Sequence, residues 1–226
     1  MNDWMVPELE WDDNYVPDRG KVYGAEELEE IETFYRYLDV DGDGIPYRTF
    51  PGVHPKGAYF TRGSGHNKHG YYTENSDDYQ EIVDRLLVKW ETARSMVPEA
   101  EISYSKLNKA AILTFGSGDG AAKEALQRLA QQNIGLNYCC VKAFPFTDAV
   151  REFIDKHDVV YVVEQNRDAQ MLRMLTMEFP DLALTLRSVL HYDGLPLDAS
   201  TIVEQIAAAQ AGGDAQPSHR AEKGDA

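Results

Sequence analysis

The hydrophobic pattern changes character near residue 107. From there to about 210, short apolar runs at 110–115, 136–142, 159–163 and 184–190 alternate with helical periodicity at 120–132, 147–156, 168–177 and 199–210. Runs this short and this continuously apolar suit strands covered on both faces. Their alternation with helices predicts an α/β domain over 106–210, a parallel sheet between two helical layers. Everything after Ala211 is poor in apolar residues, and 211–226 reads as a disordered tail.

The first 105 residues lack that order. Trp4, Trp11, Tyr15 and Tyr23 stand among Pro7, Pro17 and Gly20 with no sustained period, which predicts an extended arm whose aromatics pack on the later domain or on another chain. Leu28, Ile31, Phe34, Tyr35 and Leu38 are spaced for one helix face, so a helix is predicted over 25–38 with four glutamates near its start. A second helix over 76–95, capped by Ser76, carries Tyr79, Ile82, Val83, Leu86, Leu87 and Trp90 as a stripe expected to be buried. Pro98 and Glu99-Ala-Glu101 read as a linker. Between the helices, 45–73 is irregular and rich in Pro, Gly and aromatics. Its Gly65-His66-Asn67-Lys68-His69-Gly70 segment makes His66, Asn67 and His69 candidates for a substrate-facing or interface loop.

Composition narrows the partners. Lys and Arg number 22 against 38 acidic residues, a net charge of −16, which repels nucleic acid and anionic membrane surfaces. No apolar run approaches the roughly 18 residues of a membrane span, and the Met-Asn-Asp-Trp-Met start lacks a signal peptide's pattern, so a cytoplasmic protein is expected. Two adjacent cysteines, Cys139 and Cys140, point to opposite faces of a strand and suggest neither a disulfide nor a cluster.

Three stretches could carry chemistry. The turn Gly116-Ser117-Gly118-Asp119-Gly120-Ala121 has the spacing of a dinucleotide fingerprint, but the next strand ends at Lys142 without the acid that holds ribose hydroxyls. It also lacks the Gly-Lys-Ser/Thr of a phosphate loop. What remains is a helix start at the carboxyl edge of the sheet, with Gly116, Ser117, Gly118, Glu164 and Asn166 as candidates for contact with an anion or a partner. Asn166 or Asp168 would otherwise simply cap the following helix. Asp39-Val-Asp41-Gly-Asp43-Gly44 matches the first half of an EF-hand loop, yet Phe50 replaces the bidentate Glu and Pro46 and Pro51 block an exit helix. No catalytic residue and no metal site is therefore assigned.

Taken together, Met-Asn-Asp-Trp, Asp43-Gly-Ile-Pro-Tyr-Arg-Thr49, the Gly-His loop at 65–70, the Phe-Gly-Ser turn, Pro145-Phe146 and Val162-Val-Glu-Gln-Asn166 resemble the alpha subunit of 2-oxoacid:ferredoxin oxidoreductases, in particular the 2-oxoglutarate enzyme. The resemblance implies that 1–105 is the end of a pyrimidine-side thiamine domain and 106–210 a domain similar to the transketolase C-terminal domain. It implies oxidative decarboxylation of 2-oxoglutarate to succinyl-CoA, with electrons passing to ferredoxin. Thiamine diphosphate, Mg and a 4Fe-4S cluster would belong to the complete complex with a beta subunit, and none to this chain alone. No acid here matches the family's cofactor-activating glutamate, so the isolated chain, a split or truncated part, is expected to have no turnover. Two other readings stand beside it: a noncatalytic assembly module and a free-standing nucleotide-binding protein.

Overall fold

A computed structural model describes residues 11–60, 63–105 and 108–212. Two compact units meet in sequence between Met96 and Val97. Trp4, Pro7 and most of the predicted tail lie outside the described residues.

In the unit preceding Val97, α1 spans Ala25–Glu30, six residues where the periodicity predicts fourteen. The helix ends because Ile31 turns to extended backbone and Lys56 Nζ donates to the carbonyls of Glu29 and Ile31 at 2.7 and 3.2 Å. Glu26 and Glu30 also repel one another at helical spacing. Leu28 is fully buried, and Phe34, freed from the helix, meets Tyr23 and Tyr59 edge-on or tilted. On the arm, Trp11 and Tyr15 are exposed, whereas Tyr23 stacks on Tyr47 at 4.3 Å.

Helix α2 (Ser76–Arg94) forms as expected, but its cap is Asn75, which accepts from Asp77 N at 2.8 Å. The expectation of a buried stripe fails. No residue of α2 is fully buried, and Tyr79, Val83, Leu86, Leu87 and Trp90 are all exposed. The helix is held instead through polar contacts with the aspartate turn: Arg85 donates to Gly44 O at 2.7 Å and Thr92 Oγ1 to Asp43 O at 2.6 Å.

From Val97 onward the alternation resolves into β1 (Glu101–Ser103), β2 (Ala110–Phe115), α3 (Gly118–Gln131), β3 (Asn137–Val141), α4 (Asp148–Asp155), β4 (Val159–Glu164), α5 (Gln170–Glu178), β5 (Leu186–Leu190) and α6 (Ala199–Gln210). The sheet order is β1-β3-β2-β4-β5, parallel except for β1. Strand β1 corrects the linker reading. It is too short and too polar to register as a strand, and only pairing with β3 makes it one. Glu99 accepts from Thr147 Oγ1 at 2.6 Å, which ties the same segment down. The last strand begins at Leu186, two residues after the predicted start, because Pro180–Thr185 forms a 3₁₀ turn.

Strand alternation divides the core between the two faces. Leu113, Cys139, Val160 and Val162 face α4 and α5, packing with Phe153 and Leu175. Ile112, Tyr138, Cys140 and Tyr161 face α3 and α6, packing with Leu129 and Ile202. The adjacent cysteines do lie on opposite faces, both buried and free. Among the described residues no helix is long and apolar enough to cross a membrane.

Candidate functional site

Strands β2 and β4 are neighbours, yet the helices that follow them lie on opposite faces, so a crevice opens between their carboxyl ends. This is where Gly116, Ser117, Gly118, Glu164 and Asn166 converge. Gly116 takes φ +56°, which glycine adopts without strain, and Ser117 stands exposed at the N-cap position of α3 without a side-chain cap bond. Gly118 is required by close approach: a Cβ there would lie 2.5 Å from the buried Thr114 Oγ1, which donates to Val163 O. The crevice is spanned by the chain itself. Gln165 Nε2 donates to Ser117 Oγ at 2.9 Å while its Oε1 accepts from Leu197 N at 3.1 Å. Gln165 was not among the candidate residues, although it lies in the polar strand end Glu164-Gln-Asn166-Arg167, which was the available signal.

Glu164 is 2% exposed and already occupied. Its carboxylate accepts from Met171 N at 2.8 Å, Leu172 N at 3.2 Å and Asn166 Nδ2 at 2.6 Å. It therefore fills the anion position at the amino end of α5. Asn166 accepts in turn from Asp168 N and Gln170 N, so the capping alternative describes its role.

A polar chain on the α3 face was not foreseen. The Tyr138 hydroxyl donates to Asp119, Lys123 Nζ lies 3.0 Å from Asp119, and Glu101 bridges Lys123 at 2.8 Å and Lys142 at 3.1 Å. Burial pushes the Asp119 carboxyl up, but Tyr138 and Lys123 outweigh it and hold the group below its ordinary range. Burial and the Asp119 contact raise Tyr138 far above a free phenol. The four-residue spacing of Asp119 and Lys123 was the legible part of this network.

In the other unit, the 63–73 segment is a tight hairpin rather than an open loop. Asn67 Oδ1 accepts from His69 N at 3.0 Å and Tyr71 N at 3.1 Å, and Gly70 supplies φ +86°. Asn67 is thus a turn former, and His66 stacks on Tyr37 at 3.9 Å. His69 alone of the three lines a cavity of about 400 Å³. In the aspartate turn, Asp39, Asp41 and Asp43 approach one another closely. Lys21 Nζ lies 2.6 Å from Asp41 and 2.5 Å from Asp43, and although burial opposes it, these contacts raise its pKa to about 12. The turn carries its own cation.

No family model matches the sequence. The 2-oxoacid:ferredoxin oxidoreductase subunit alpha of Saccharolobus solfataricus is 23% identical over 204 residues, covering 87% of this chain and 30% of that relative. The chain matches the C-terminal portion of such alpha subunits. Among solved structures, the 2-oxoglutarate:ferredoxin oxidoreductase from Magnetococcus marinus, with 2-oxoglutarate, coenzyme A and succinyl-CoA bound, shares the fold. It has a TM-score of 0.70 over 83% of this chain and 32% of that chain, at 20% identity. The chain therefore spans about a third of the length of the proteins it matches.

Among the described residues, neither of the two buried carboxylates is free to meet a thiamine cofactor. Thiamine activation requires a carboxylate free to meet the aminopyrimidine. Here the buried carboxylates, Glu164 and Asp119, are committed to α5 amides and to Tyr138 and Lys123. Two cysteines cannot ligate a four-iron cluster, and burial pushes the Cys139 thiol up to about 12.

Proposed function

We propose that this chain is the C-terminal portion of the alpha subunit of a 2-oxoglutarate:ferredoxin oxidoreductase and acts only in a complex with the remainder of that subunit and a beta subunit. The reading rests on one observation: a match that runs through 87% of this chain while covering 30% of the relative. In the complex, thiamine diphosphate, Mg and a 4Fe-4S cluster would be held by the other chains and would supply the decarboxylation and electron-transfer chemistry, with CoA as acyl acceptor and ferredoxin as electron acceptor. The role of this chain is structural. Its sheet edge, closed by Gln165 and Glu164, offers exposed Gly116 and Ser117 to a neighbouring chain, and residues 1–105 complete a thiamine domain supplied mostly by others.

The exposed apolar face of α2 supports a role inside a larger assembly, because isolated proteins rarely leave so many large apolar groups of one helix in water. That face equally suits the second reading, a noncatalytic assembly module. A free-standing nucleotide-binding protein gains no support from a crevice spanned by the chain's own glutamine.

The test is coexpression of the chain with a beta subunit, followed by assay with 2-oxoglutarate, CoA and a viologen acceptor. Copurification with four-iron absorbance, and no viologen reduction by the chain alone, is the expected result. Robust turnover by the isolated chain would overturn the proposal.

A further inference from the structure

The cavity beside the 66–72 hairpin has the makings of a ligand site that is independent of the oxidoreductase reading. It lies wholly within the unit preceding Val97, is lined by Tyr35, Arg36, Lys56, Tyr59, His69 and Tyr71 among others, and its volume of about 400 Å³ is within the range of small-molecule sites. The walls are mostly aromatic. Polar groups stand among the rings, and on two of them, Arg36 and His69, hydrogen-bonding capacity is unspent.

Arg36 is the first. In a chain with 38 acidic residues, its half-buried guanidinium makes no ion pair among the described residues and lies over the Tyr37 ring at 5.7 Å. An arginine fork presents two parallel N–H donors matched to a carboxylate. His69 is the second. Its ring meets Tyr35 edge-on at 4.4 Å, and its Nδ1 is buried without a hydrogen-bond partner. With Nδ1 buried, Nε2 is the ring nitrogen left to meet a ligand as a donor. Lys56, by contrast, is spent on the carbonyls that end α1.

We propose that this cavity binds a small monocarboxylate with a flat apolar body, the carboxylate on Arg36 and His69 and the body against the tyrosine rings. One guanidinium and one imidazole N–H suit a single carboxylate better than a phosphate, which carries more charge and more acceptor oxygens than this donor set can satisfy. The strongly negative net charge further disfavours a polyanion.

Titration calorimetry of the full chain with phenylacetate, phenylacetamide and inorganic phosphate tests this. Phenylacetate should bind, and phenylacetamide, equally flat but uncharged, should bind at least about tenfold more weakly. Arg36→Met should weaken phenylacetate by about tenfold or more, and His69→Phe, which keeps the ring packing, by a smaller factor, with thermal midpoints checking that each variant is folded. Should Arg36→Met fail to fold, the comparison of acid and amide on the unaltered chain decides alone. Equal binding of acid and amide, no binding of phenylacetate, or its displacement by an equal concentration of phosphate would overturn the assignment.

Discussion

Glu164 ends a buried strand at the carboxyl edge of a parallel sheet, a position from which a carboxylate can meet a ligand or hold the fold. Its partners decide for the fold, since two amides of α5 and the Asn166 side chain account for both oxygens. Glu164→Ala should therefore cost about 2–3 kcal/mol in denaturant unfolding, and Glu164→Gln about 1 kcal/mol by loss of charge at a helix start. Tyr138 and Asp119 couple stability to pH. Because the folded-state pKa of Asp119 is depressed, its contribution is present above the ordinary carboxylate range and lost as pH falls through the depressed value. Tyr138→Phe removes the larger of the two compensating donors and leaves Lys123 against burial, so the acid-unfolding midpoint should move to higher pH. A midpoint unchanged by this substitution would show that Asp119 is not held by the phenol. Gly44 is the tightest backbone approach: at φ +78°, an added Cβ would stand 2.2 Å from Lys89 N. Gly44→Ala should destabilise by about 3 kcal/mol or more and be read most clearly as loss of helix at α2.

The elements divide by how much of their stability is local. The strands β2, β3 and β4 are apolar at nearly every position, and burial on both faces makes their sequence unmistakable. Helix α1 obeyed its periodicity only until Lys56 took its last carbonyls, an interaction between residues 25 apart or more that no window of sequence contains. For α2 the period was read correctly and its consequence was not: an apolar stripe signals a face that excludes water somewhere, not that this chain covers it. Leu87 is 66% exposed, so Leu87→Lys should shift unfolding by less than about 0.5 kcal/mol. A loss above 2 kcal/mol on chemical denaturation would mean that the face is covered within the chain after all.

For the whole molecule, the proposal separates assembly from folding. Ser117 is exposed and precedes α3, where an added carboxylate favours the helix dipole. Ser117→Asp should leave the melting temperature within a few degrees of the parent while reducing copurification with a beta subunit, and unchanged copurification would remove this edge from the interface. The order of strands and helices after residue 107 and the two-faced core were readable in the sequence because each depends on patterns repeated over many neighbouring residues, and the relation to oxidoreductase alpha subunits was readable from short motifs in a fixed order. The tertiary structure decided which polar residues are already spent. Glu164 and Asn166 are committed to α5, Gln165 to the crevice, and Asp41 and Asp43 to Lys21, some twenty residues upstream. Whether a carboxylate, an arginine or a histidine is free for a ligand depends on partners brought close by the fold, and spacing along the chain does not encode those distances.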